Sequence, residues 1–169
     1  MRVASVILAV AASLVLQTTL TRFLVRGAVA VDLVLVVVVY VALRSGPVTG
    51  LLSGTLAGLL QDALSSGVIG IGGLAKTVVG FLAGVVGTQF IVAHALPRFV
   101  VFVAATVLHA VVFMGLYVLL DLRHFGSPYV AVGGQALGNA VVGVVAFELV
   151  ELLPGAVERR RAARLRLRR

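Results

Sequence analysis

Six apolar runs follow one another along the chain, at residues 3–20, 28–43, 47–64, 73–93, 97–120 and 129–153, with no break between them longer than eight residues. A hydrocarbon core about 30 Å thick takes roughly 20 mainly apolar residues per crossing helix, and each run approaches that length. In lipid the backbone N–H and C=O groups must be satisfied within the segment, so the runs are expected to be helices. Composition agrees: 61% of the 169 residues are hydrophobic, 12% are charged, and the mean hydropathy is +1.18. The expected fold is all-α and integral to a membrane, a single bundle of six transmembrane helices. No break is long enough to separate one domain from another, which leaves a transmembrane domain over residues 1–155 and a basic tail over 156–169. The first run lacks a small-x-small cleavage site and reads as an uncleaved helix rather than a signal peptide.

Charge is concentrated at one end. Of the 14 Lys and Arg residues, seven lie in the last eleven positions: Arg159, Arg160, Arg161, Arg164, Arg166, Arg168 and Arg169. Basic residues gather on the cytoplasmic side of a membrane. An inside N-terminus places Arg2, Arg44, Arg98 and the tail there, against Arg22, Arg26 and Arg123 outside, and six spans return the C-terminus to the cytoplasm. Such a tail attracts anionic lipid headgroups at about 1 kcal/mol per residue near the surface, or an acidic partner. It lacks interleaved aromatic residues, so nucleic acid is not expected.

Catalytic chemistry finds no foothold. There is no cysteine, hence no disulfide or thiolate nucleophile. The three histidines are scattered, "GIGG" at residues 70–73 has the wrong spacing for a phosphate-binding fingerprint, and no HExxH, P-loop or supported Ser-His-Asp order occurs. No enzyme activity, cofactor or metal is expected.

The third run carries the most distinctive pattern, "GPVTGLLSGTLAGLLQD". Gly46, Gly50, Gly54 and Gly58 recur every fourth residue and the row ends on Asp62. In lipid, small residues let helix backbones approach closely, which supplies much of the packing. The fourth run has a matching row, Lys76, Gly80, Gly84 and Thr88. A hairpin of the two runs is expected to set Asp62 level with Lys76 as an intramembrane ion pair, Gly58 level with Gly80, and Gly54 level with Gly84. An unpaired charge at mid-helix costs roughly 2.5–3.5 kcal/mol, which such a pair offsets. A row of five drifts by roughly 160° around a straight helix, so one neighbour cannot cover it all. Either several helices share the row or some of it accepts a partner's helix. The row and the pair read either as packing with a satisfied internal salt bridge or as a polar binding site near the outer face to which Asp32 contributes.

Other polar residues sit deep in the runs. His109 and Asn139 fall at similar depth near the midplane and, with Asp32, form a candidate polar cluster; an interhelical hydrogen bond is the simplest reading. Gln135, Asn139, Gly143, Phe147 and Glu151 lie in another row of fours. Glu148 and Glu151 come level with Arg44 and Arg98, where salt bridges at helix ends are expected.

The segment 31–84, "VDLVLVVVVYVALRSGPVTGLLSGTLAGLLQDALSSGVIGIGGLAKTVVGFLAG", resembles the rod-shape-determining protein MreD family. Asp32, the turn from Arg44 to Pro47, Asp62, Gly67, Gly70, Lys76, Gly80 and Gly84 carry the likeness; Val31 stands where the family usually has proline. The resemblance implies a non-catalytic scaffold of bacterial cell elongation in the cytoplasmic membrane, supporting peptidoglycan synthesis during lateral wall growth. It implies binding to an MreC-like single-span protein and, through it, to MreB, RodA and a class B penicillin-binding transpeptidase. It also implies a six-helix architecture like that of the substrate-binding S components of energy-coupling-factor vitamin transporters, which makes such a transporter subunit the alternative function. An S component would line an outward cavity with Asp32, Asp62 and Lys76, and "AVAAS" at 9–13 would offer a small-residue coupling surface.

Overall fold

The computed structural model describes residues 3–23, 31–65, 67–90, 94–122 and 126–166, with side chains described for 4–19, 31–65, 67–90, 94–122 and 126–152. All regular structure among them is helical: α1 (Val3–Phe23), α2 (Leu33–Ser45), α3 (Pro47–Leu64), α4 (Ile71–Gln89), α5 (Ala95–Leu119) and α6 (Tyr129–Arg166). Three segments, Ile71–Gln89, Ala95–Leu119 and Tyr129–Leu152, are long and apolar enough to cross a membrane. The apolar stretches of α1 and α2 are shorter. The basic tail residues Arg159, Arg160, Arg161, Arg164, Arg166, Arg168 and Arg169 lie outside the residues whose side chains are described.

Local chemistry sets the helix ends. Asp32 starts α2 as its N-cap, its side chain accepting from the Leu35 amide at 2.9 Å, which satisfies a donor that the helix itself leaves free. Gly46, at φ +86°, ends α2 and precedes Pro47 at the start of α3; a left-handed backbone suits glycine and a first-turn position suits proline. Thus α3 covers the expected 47–64, whereas α2 begins at Leu33.

Short α2 is central. Its 13 residues span about 20 Å, and it contacts each of the other five helices. Val34, Leu35, Val36, Val38, Val39, Val41 and Ala42 are buried. Around it, α1 packs on α3, α3 on α4, α4 on α5, and α5 on α6, while α1 and α6 have no close backbone approach among the described residues.

The α3–α4 hairpin is the tightest pairing. A Cβ placed at Gly50 would strike the Gly80 carbonyl oxygen, and one at Gly80 the Gly50 carbonyl oxygen. Likewise Gly54 lies against the Lys76 carbonyl, Gly58 against Gly72 and Gly73, and Gly84 against Gly46 and Pro47. The expected register is therefore corrected: Gly80 faces Gly50 rather than Gly58, and Gly84 faces Pro47 rather than Gly54. The cause is that the first turn of α4, not its second, sits level with Asp62. Hydroxyls add a bond across the same seam, Thr55 Oγ1 to Thr77 Oγ1 at 2.8 Å. A Cβ at Gly50, Gly54, Gly58, Gly80 or Gly84 would in each case meet backbone within the hairpin.

Gly50→Ala is expected to destabilise the protein by about 1–3 kcal/mol, because the new methyl meets facing backbone that cannot yield. Gly115→Ala, where a Cβ meets nothing within 4 Å, is expected to be neutral or stabilising. Thermal unfolding of both variants in one detergent checks the contrast; equal melting temperatures would contradict the register.

Candidate functional site

The lead-in to α2 gathers most of the polar side chains buried in the core. Lys76 of α4 places Nζ 3.0 Å from Asp32 Oδ2 and 3.2 Å from His109 Nε2 of α5. A charged lysine only donates, so Nε2 is the acceptor. Asn139 of α6 accepts from the Asp32 backbone N–H at 2.8 Å and donates to Thr106 Oγ1 at 3.1 Å. Thr106 in turn donates to the Phe102 carbonyl at 2.9 Å. From α1, Gln17 donates to the Val31 carbonyl at 3.0 Å and accepts from the Leu33 amide at 2.8 Å. Asp32, Lys76, Thr106, His109 and Asn139 are all buried. Residues from α1, α4 and α6 thus bond three residues of chain at the start of α2, and α5 joins them through Lys76 and Asn139.

The candidate cluster of Asp32, His109 and Asn139 is brought together, though His109 and Asn139 reach it through Lys76 and the Asp32 backbone rather than through each other. Lys76 joins it instead of pairing with Asp62, which corrects the expected ion pair. Asp62 Oδ2 accepts from the Gly70 amide at 2.9 Å and the Gly73 amide at 3.0 Å. A carboxylate placed there satisfies free amides at the start of α4 and meets the positive end of the helix dipole. Lys76 lies more than one turn further in, against α2 and α5. "GIGG" is the cradle for this carboxylate: Gly70 has φ +107°, and a Cβ at Gly72 would collide with Asp62 Oδ1. Thr106 and Gln17 join the network without a distinguishing sequence signal. Thr106 precedes His109 by one helical turn on the same face, and Gln17 is an isolated amide in an apolar run.

The opposite end of α2 carries a second network. Arg98 of α5, only 3% exposed, bonds Glu148 at 3.0 Å and Glu151 at 2.8 Å. Its guanidinium lies 4.6 Å from the centre of the Phe147 ring, a favourable cation–π placement. Arg44 stands 3.7 Å from Glu151. These are the expected salt bridges at helix ends, and they tie α2 and α5 to α6. Beside them a Cβ at Gly143 would strike the Phe102 ring, so that glycine sets how closely α6 approaches α5.

Chemically, the cluster neutralises charge within an apolar interior and fixes helices against one another. Among the described residues no three His, Asp or Glu side chains stand close enough to hold a metal ion. Asp32, Asp62 and Lys76 do not line a common site: two bond each other and the third caps α4. Helical structure throughout the described residues, three of the helices long and apolar enough to cross a membrane, marks an all-helical membrane protein. The family model described as rod shape-determining protein MreD matches residues 1–154, and the chain belongs to that family, with a role in rod-shape determination. No curated protein and no solved structure matches it.

Removing one member of the Asp32–Lys76 pair leaves a buried charge unmatched, so Asp32→Asn and Lys76→Met are each expected to cost about 3–5 kcal/mol. The double variant is expected to lose clearly less than the sum. Equilibrium unfolding of the three variants measures the coupling; additive losses would mean the two side chains do not pair.

Proposed function

We propose that the chain is a non-enzymatic scaffold of the bacterial elongation machinery in the cytoplasmic membrane, with both termini inside, arranged as one six-helix bundle. It binds the transmembrane helix of an MreC-like single-span protein and, through that protein, supports MreB, RodA and a class B penicillin-binding transpeptidase in lateral peptidoglycan synthesis. Family membership together with one observation supports this reading: the groups that would serve catalysis or ligand capture, Asp32, Asp62, Lys76 and His109, are bonded to one another or to helix ends. A rigid body of this kind acts by holding partners. The tail arginines are suited to anionic headgroups or a cytoplasmic partner.

With the α3 and α4 glycines engaged internally, the partner helix must meet an outward face. On α1, Leu8, Ala11, Ala12, Val15, Leu16 and Thr19 line an open groove of about 540 Å³. They lie opposite Val10, Ser13 and Leu14, which are buried. Ala11 and Ala12 leave low relief there, which favours close approach of another helix.

Ala12→Phe is expected to reduce recovery of the single-span partner by about tenfold in copurification from cells, with the yield and melting temperature of the scaffold unchanged. Full recovery at normal yield would reject α1 as the partner face, and absence of any such partner from the wild-type preparation would reject the scaffold reading.

A further inference from the structure

The most buried helix has one uncovered stripe. Leu33, Val37 and Tyr40 are half-buried and Arg44 is exposed, and their spacing places all four on a single face of α2. Val37 packs beside Val10 and Leu14 of α1. Tyr40 packs on Phe147 of α6, with ring centroids 4.4 Å apart. Among the described residues α1 and α6 have no close backbone approach, so the half-buried stripe lies between the two helices. At the Leu33 end the two are bridged by Gln17 and Asn139, which both bond the α2 lead-in. No bridge between α1 and α6 closes the Arg44 end among the described residues.

That end carries unused donors. Arg44 approaches Glu151 only to 3.7 Å, and the same Glu151 oxygen accepts from Arg98 at 2.8 Å. Its other contacts are with the rings of Tyr40 and Phe147, at 6.0 and 5.7 Å. Neither the guanidinium nor the Tyr40 hydroxyl makes a hydrogen bond to any described residue. A guanidinium fork and a phenol one helical turn apart on the same face both suit a phosphate. The charged cluster of Arg98, Glu148 and Glu151 marks the same level as a membrane interface. From Leu33 to Arg44 the stripe runs about 16 Å, the depth of one leaflet of a core about 30 Å thick.

We propose that the stripe between α1 and α6 holds one anionic phospholipid, with an acyl chain along Leu33, Val37 and Tyr40 and the headgroup phosphate on Arg44 and the Tyr40 hydroxyl. Basic pockets between transmembrane helices recognise anionic headgroups in this way. A lipid fits better than a partner helix because the stripe is built from leucine, valine and tyrosine, whereas close helix contact favours small residues. The site lies on α2, away from the α1 groove and from the tail arginines, so it stands or falls apart from the scaffold reading.

The test is native mass spectrometry of the full chain in neutral detergent, titrated with phosphatidylglycerol or phosphatidylcholine and with no partner protein present. The wild type is expected to hold one phosphatidylglycerol in preference to phosphatidylcholine. Arg44→Gln is expected to weaken that first binding event by about tenfold and Tyr40→Phe by about threefold. A variant with the seven tail arginines changed to glutamine is expected to retain it. If Arg44→Gln does not fold, the Tyr40→Phe result decides. Undiminished binding in the folded α2 variants, equal retention of the two lipids, or loss only in the tail variant would overturn the proposal. So would a photo-crosslinker at Val37 that captures a protein helix rather than lipid in cells.

Discussion

The Asp32–Lys76 pair is the interaction on which the arrangement of helices depends. Either charge alone would be expensive in an apolar interior, and together they are tolerable only at hydrogen-bonding distance with their remaining groups satisfied. At 3.0 Å, with the Leu35 amide, His109 and the Asn139 contact around them, that condition is met. The pair fixes the N-terminal end of α2 to α4. The bonds from Gln17, Asn139 and His109 then place α1, α6 and α5 relative to the same point. A helix of 13 residues, too short to cross a membrane by itself, thereby becomes the axis on which the other five are mounted.

The glycine hairpin supplies what the ion pair requires. With Gly54 against its carbonyl, the Lys76 backbone sits directly on α3, and its side chain is left to reach α2 and α5. Asp62 holds the start of α4 through the Gly70 and Gly73 amides and so sets how deep Lys76 lies. Packing and electrostatics are therefore one device: shifting the hairpin register would carry Lys76 away from Asp32. The same economy leaves the deep polar residues among the described ones bonded to one another or to helix ends.

Sequence made the helices legible because hydropathy and helix-end residues are local. The bounds of α3 follow directly from Pro47 and from the loss of periodicity at Ser65. The start of α2 was less legible, since the apolar run beginning at Ala28 hides the capping role of Asp32. Which carboxylate Lys76 meets was not legible at all. Two aspartates flank the same stretch, and depth reckoned from the loop favoured Asp62. Only the capture of the α4 amides by Asp62, a contact between a side chain and the backbone of the next helix, moves Lys76 inward to Asp32. His109 and Asn139 were recognisable together because both fall near mid-depth of their runs, and Asp32 because it is the one charged residue of its run before Arg44, while Thr106 and Gln17 are too common in helices to stand out.

Lys76 is the only lysine in the chain, which makes the central claim directly measurable. Solid-state NMR of the full protein in lipid bilayers, with lysine labelled by nitrogen-15 and aspartate by carbon-13, reads the distance from the single ammonium to each carboxyl carbon. Strong dipolar coupling of Lys76 Nζ to the Asp32 carboxyl carbon, lost in Asp32→Asn and kept in Asp62→Asn, is the predicted result. Coupling that disappears in Asp62→Asn instead would show that the hairpin places Lys76 beside Asp62 and would contradict the account.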